Sequence, residues 1–304
     1  MTFLALLTKE MRIRMRRERT IWVVIAYILL MGSLGWLVIS SSGRSPSNVV
    51  NSWSTIGYLL YTLLLMIQIF LILFITPAFT ATTINGEKER QTFDLLLCSR
   101  LSPFSLIGGK LLAGVMNALL LIAASLPVFS LVFFFGGVTP LQAMQALAVS
   151  IMTALVAATL GIFCSALFQR PAASTAVSYM LVLLWLILPL IIAAMAPVPP
   201  PVQTNPAQPV QEPAPQFFLM ENPIVALITT FNSPYYLGFP RGDYIVGPLN
   251  FAAWQGYIFL NTLLTALFFL CSVWLVQLRP VNWRPIFPKK VKMEKPESEA
   301  TATA

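Results

Sequence analysis

The charges of this chain are gathered at a few places, and the stretches between them are long and empty of charge. No Asp, Glu, Lys or Arg occurs between Arg19 and Arg44, between Arg44 and Glu87, between Lys110 and Arg170, or between Asp243 and Arg279. A helix that crosses the hydrocarbon core of a bilayer needs about 20 apolar residues, and each of these stretches holds at least that many. Soluble domains carry about 25% charged residues; here the figure is 10%, against 57% hydrophobic. A soluble domain is excluded. So is a β-barrel, whose strands alternate over roughly ten residues at a time. The chain reads as an all-α integral membrane protein.

Six transmembrane helices are expected, near 21–40, 57–81, 111–135, 143–168, 174–196 and 253–278. The run 111–169 is long enough for two of them, and Gly136, Gly137 and Pro140 in "FFFGGVTPLQ" supply turn chemistry between the two. Residues 1–20 come before the membrane domain of 21–278. Leu4, Leu7, Met11 and Met15 recur there at three- and four-residue steps among Arg12, Arg14, Arg16 and Arg17, the pattern of an amphipathic interfacial helix. An uncleaved first span is preferred to a signal peptide, since 21–40 is long for one and no A-x-A site follows. The loop 197–252 opens with "PVPPPVQTNPAQPVQEPAP", an extended spacer by its prolines. Its apolar continuation suits either a short helix at 223–231 packed on the mouth of the spans or a half-inserted re-entrant segment. The tail 279–304 is basic, then polar, and is expected to be disordered beyond the membrane edge.

Lys and Arg divide 17 to 2 between the two sets of loops implied by six spans. The rule that basic residues stay inside then places both termini in the cytoplasm of a multi-pass protein of the cell membrane. The net charge of +8 is a topology signal with contact to anionic lipid, and no nucleic-acid partner is expected. Of three cysteines, Cys98 falls in an inner loop and Cys164 and Cys271 fall within spans, so no disulfide is expected.

The expected spans contain no Asp, Glu, Lys, Arg or His, whereas proton-coupled carriers place such groups at mid-membrane. Their polar residues are Gln68, Asn117 and Asn261 with scattered Ser and Thr, suited to interhelical hydrogen bonds or to lining a substrate path. No metal-ligand cluster and no nucleophile–base pair is visible, and there is no histidine. "GGK" at 108–110 is not a phosphate loop: Phe104 stands where Gly is required, and Leu111 follows the Lys in place of Ser or Thr. No cofactor is expected in this chain, and any ATP and Mg would be bound by a partner.

One stretch between spans is dense in charge. "INGEKERQTFDLLLCSRLSP", residues 84–103, holds six of the thirty formal charges. On a helix over 86–97, Phe93, Leu96 and Leu97 share one face, and Glu87 and Glu89 sit near the start, where the dipole favours negative charge. Pro103 is read as its stop. The stretch "NGEKERQTFDLLLCSRLSPFSLIGGKLLAG" resembles the loop between the second and third spans of ABC-2 type permeases, the membrane subunits of one class of ABC transporter. Glu87, Arg90, Thr92, Leu95, Leu96, Ser102 and Gly109–Lys110 fit that pattern; Gln91 departs from it where Gly is usual, and Leu101 lies where Pro is common. "LGIFCSALFQRPAASTAVSYMLVLL", 160–184, is similar to the family's join of the fourth and fifth spans.

The resemblance implies a fold of six helices with an N-terminal interfacial helix, like that of type V exporters. It further implies a dimeric pore made with a second permease copy or a paralogue, and a cytoplasmic coupling helix docked on a separate ABC ATPase. Glu87, Lys88, Glu89, Arg90, Thr92, Phe93 and Leu96 would form that ATPase interface. The function implied is the non-catalytic permease subunit of an ATP-driven exporter. Against it stand a channel or carrier that works alone and an integral-membrane enzyme; the first predicts transport without an ATPase, the second a catalytic cluster at the membrane edge.

Overall fold

The computed structural model describes residues 18–42, 53–89, 102–195, 217–230, 244–246, 249–251 and 253–277. The expected N-terminal amphipathic helix, the proline-rich spacer and the basic tail lie outside these residues. In chain order the helices are α1 (Glu18–Ser42), α2 (Trp53–Thr80), α3 (Asn85–Glu89), α4 (Pro103–Phe135), α5 (Pro140–Leu167), α6 (Pro171–Met195), α7 (Pro223–Thr230) and α8 (Ala253–Gln277). A single 3-10 turn, Phe217–Glu221, precedes α7. A two-stranded antiparallel hairpin, β1 (Tyr244–Val246) with β2 (Leu249–Phe251), precedes α8, with Ile245 opposite Asn250.

Five segments are long and apolar enough to cross a membrane: Ile56–Glu89, Pro103–Phe135, Pro140–Leu167, Pro171–Met195 and Trp254–Gln277. They correspond to the last five of the six expected spans. The first expected span is helical, but the apolar stretch described in α1, Val24–Ser40, is shorter than these.

Four helices, α4, α5, α6 and α7, begin on the same device, a proline in the first turn, where its missing N–H is not needed. At α5 the start is a full capping box: Gln142 N donates to Thr139 Oγ1 at 3.3 Å, and Thr139 N donates to Gln142 Oε1 at 2.9 Å. The turn before it is tight. Gly136 and Gly137 take φ of 77° and 89°, and a Cβ on Gly137 would run into the backbone carbonyl of Ser54. The expected turn at "FFFGGVTPLQ" is therefore present. At α4 the structure corrects the sequence reading. Pro103 opens α4 with Ser102 as cap, its Oγ accepting from Ser105 N at 3.3 Å, so the helix starts eight residues before the expected span.

Lipid is as apolar as leucine, so helices in a bilayer gain little from burying leucine and hold together by close packing and polar contacts. The residues of α5 fit that requirement. Ala146, Ser150, Ala154, Ala157, Gly161 and Ser165 are buried small residues at three- and four-residue steps. They let α5 take the centre of the bundle, packed against α2, α4, α6 and α8. The outward faces of α1, α6 and α8 carry exposed Trp36, Met180, Leu183, Phe259 and Leu263, the surface a bilayer would cover. Near the far ends of α6 and α8, α7 buries Val225, Ala226 and Leu227, as the sequence reading of a short helix at 223–231 requires.

Candidate functional site

The charged stretch leaves α2 three residues beyond Pro77, whose carbonyl takes Ala81 N at 2.8 Å. A turn at 81–84 then leads into α3. Ile84, at the middle of the join, is fully buried with Leu106, Ile107, Ile162, Ala166, Val273 and Val276. Side chains from α4, α5 and α8 thus seat the start of α3 on an apolar floor.

Polar groups fix the rest. Ser165 Oγ, in the last turn of α5, accepts from Ile84 N at 2.9 Å and from Asn85 N at 3.1 Å. Those are N–H groups at the start of α3 that have no carbonyl within it. Lys88 reaches the other way. Its Nζ donates to the carbonyls of Ser165 at 3.1 Å, Ala166 at 3.0 Å and Phe168 at 3.4 Å. A cation against the last carbonyls of a helix satisfies orphan acceptors and complements the dipole. The Asn85 amide, oriented by its surroundings, points its NH2 at the Phe168 and Ser165 carbonyls, 2.5 and 2.6 Å away. Ser174 Oγ, in the first turn of α6, donates to Ala81 O at 2.8 Å. The segment 81–88 is therefore joined to the end of α5 and the start of α6 at six or more points.

An ion pair completes the site. Lys110 Nζ lies 2.7 Å from Glu87 Oε1 and donates to Thr83 O at 3.3 Å; the lysine is 2% exposed and the glutamate 23%. Burying two charges costs much of what their attraction returns. The pair is better understood as a positional device, fixing α3 against α4, than as a source of stability. One turn below, Thr80 is wedged between Gly114 of α4 and Gly161 of α5: a Cβ on Gly114 would stand 2.5 Å from Thr80 Cγ2, and one on Gly161 would run into Thr80 Oγ1.

Of the residues read from sequence as a coupling surface, the structure brings Glu87 and Lys88 together with α4 and α5, both engaged within the chain. Glu89 is exposed. Arg90, Thr92, Phe93 and Leu96 lie outside the described residues, and the described helix is Asn85–Glu89 where 86–97 was expected. Lys110, read from sequence as part of the loop before the third span, sits inside α4. Sequence reasoning also passed over Ser165, Ser174, Thr80, Gly114 and Gly161. The glycines and the small-residue spacing of α5 were signals of close approach; the partners of Ser165 and Ser174 had none.

The polar residues within spans are dispersed. Gln68 of α2 accepts from Ser125 Oγ of α4 at 3.1 Å. Asn117 is half-buried on α4. Asn261 is buried on α8, its Nδ2 donating to Tyr257 O at 3.0 Å, while Tyr257 Oη and Thr153 Oγ1 share a hydrogen bond of 2.8 Å across α8 and α5. These are mostly interhelical or local pairings, as expected for polar groups in lipid. At the opposite end of the bundle, Asn222 caps α7 through Ile224 N at 2.9 Å and ties it to α6 through Leu186 O at 2.7 Å. Burial holds the neighbouring Glu221 carboxyl above its ordinary range.

Comparison with curated proteins gave no match. The family model described as "ABC-2 family transporter protein" matches residues 4–273, most of the chain. With its apolar spanning helices, the chain belongs to the ABC-2 transporter family and is a multi-pass membrane permease component of an ABC transporter.

Proposed function

We propose that the chain is the permease subunit of an exporter driven by a separate cytoplasmic ABC ATPase, two permeases forming the translocation path. The charged stretch after α2 is the docking element. Glu89, Arg90 and Thr92 meet the ATPase at the rim, and Phe93 and Leu96 enter its groove. The observation that carries this reading is the joining of 81–88 to α4, α5 and α6. A push on a free loop would be lost in the loop. A push on a segment held by Lys88, Lys110, Ser165 and Ser174 reaches three spanning helices at once. ATP and Mg stay on the partner, because the "GGK" of this chain lies within α4 and lacks the phosphate-loop pattern. The end bearing α3 is cytoplasmic in this reading, as the 17 to 2 division of Lys and Arg favours.

Docking and transmission separate by mutation. Phe93→Ala removes a buried anchor, which at such interfaces costs about 2 kcal/mol or more, and is expected to abolish co-purification of the ATPase. Lys88→Met leaves the docking face in place and is expected to keep the ATPase bound while hydrolysis no longer drives transport. Full binding and full coupling in Phe93→Ala would show the stretch to be a solvated connector.

A further inference from the structure

From the end of the bundle where α4 turns into α5 toward its middle, a cleft of about 120 Å³ opens sideways between these two helices and ends on α2. Its floor is buried: Gln68 is 2% exposed, Ser125 1% and Ser150 0%. Its mouth is formed by Leu126, Phe133 and Leu147, all exposed on the outside of the bundle. Between floor and mouth, Tyr61 and Phe129 meet edge to face with ring centroids 5.6 Å apart. The floor has hydrogen-bonding capacity left over. The single Ser125 O–H is shared between Ile122 O at 2.7 Å and Gln68 Oε1 at 3.1 Å, and Ser150 Oγ donates to Ala146 O. Among the described residues no group takes the N–H donors of the Gln68 amide. An amide NH2 at this depth, with an apolar corridor leading to it, is built to meet an acceptor.

We propose that this cleft binds a small apolar molecule bearing one ring or branched group and one acceptor oxygen, which enters from the bilayer and places that oxygen on the Gln68 amide. This deepens the exporter reading, on which it rests, by naming the class of molecule the permease takes up. Size and depth choose the occupant. A dry cavity of about 150 Å³ holds a benzene ring, whereas a water claims about 30 Å³ and needs two to four polar partners. The aromatic and aliphatic walls offer water no partner, and on the floor the Ser125 and Ser150 hydroxyls already donate within the chain. Gln68 is twelve residues from Thr80, the end of α2, or about 18 Å along the helix, which is near the middle of a core about 30 Å thick. The ester oxygens of a phospholipid lie at the interface and do not reach it. A solute that dissolves in the bilayer does.

The test uses the full-length permease in lipid nanodiscs and two photoreactive probes, an aryl diazirine carrying an acetyl group and the same molecule with ethyl in its place. The acetyl probe is expected to insert into residues 61–68 or 122–133, saturably, and about fivefold better than the ethyl probe, the order of one hydrogen bond. Gln68→Leu should erase that preference. Leu147→Trp, a change at an exposed position of the mouth, should block labelling by both without disturbing the fold. Labelling that does not saturate and spreads over the exposed faces of α6 and α8 overturns the proposal, as does equal labelling by the two probes in the native chain. No ATPase is present in this measurement. A negative result therefore refutes the cleft and leaves the docking reading standing, and loss of the ATPase in Phe93→Ala leaves probe binding untouched.

Discussion

Lys110 shows how much one side chain decides at the charged end of the bundle. It lies within α4, 2% exposed, with the Glu87 carboxylate at 2.7 Å and the Thr83 carbonyl at 3.3 Å. Removing one partner of a buried ion pair costs about 3–5 kcal/mol, chiefly because the other charge is left in a poor medium. Glu87 retains 23% exposure, so water offsets part of that penalty, and Lys110→Met is expected to cost about 2 kcal/mol. Glu87→Gln combined with Lys110→Met should recover at least half of the loss, as thermal unfolding of the purified variants will show; equal losses in the single and double variants would refute the pairing. The sequence put Lys110 in a loop for a definite reason. Hydropathy starts the third span at Leu111, and Pro103 reads as the end of one helix although Ser-Pro is also the signature of a beginning. The pairing itself joins residues far apart in sequence, and no local pattern announces it. The charges of 84–103 were legible as a functional feature; which of them turn inward was not.

At the scale of the elements, the crossing of α2, α4 and α5 is set by Thr80 between two glycines. The two contacts differ, and the difference is testable. On Gly114 an added Cβ meets Thr80 Cγ2 at 2.5 Å, with the next atom, Thr80 Cβ, at 3.8 Å. On Gly161 it meets Thr80 Oγ1, and both Thr80 Cβ at 2.9 Å and the backbone Ala81 N at 3.2 Å stand close behind. Gly114→Ala is therefore expected to destabilise by about 1–3 kcal/mol, the usual range for overpacking, and Thr80→Ser, which deletes Cγ2, should restore it. Gly161→Ala should be the worse change, and Thr80→Ser should not rescue it, because the serine keeps both Oγ and Cβ. Melting temperatures of the five proteins decide the matter; rescue of both glycine variants, or of neither, contradicts the geometry. The spans themselves were legible, since apolar length is the main requirement of a bilayer. Their faces were not. Leucines turned to lipid and leucines turned to the core look alike in sequence, and the small residues of α5 were the one available clue to which helix stands at the centre.

For the whole molecule the open question is α1. Tyr27, Met31 and Val38 of α1 are buried in the main core with Leu64 and Leu121, so the helix packs along the bundle rather than apart from it. Its 25 residues extend about 37 Å, enough to cross a core of about 30 Å. The segment before it carries Lys9, Arg12, Arg14, Arg16 and Arg17, and Arg19 lies in its first turn. Each such residue costs about 2.5–3.5 kcal/mol at the centre of a membrane-spanning helix, so this end is held on the side where it was made. The expectation is that α1 crosses and that Thr2, Gln91 and Thr301 share the cytoplasmic face, with Ser47 and Gln208 on the other. Single cysteines at these five positions, in a chain whose Cys98, Cys164 and Cys271 are replaced by alanine, report it directly. An impermeant thiol reagent should label Ser47→Cys and Gln208→Cys in intact cells, and the other three only after permeabilisation. Labelling of Thr2→Cys from outside would mean that α1 lies along the membrane and that five helices cross. Labelling of Gln91→Cys from outside would invert the bundle, put the segment held by Lys88 and Lys110 beyond reach of any cytoplasmic ATPase, and end the docking proposal with it.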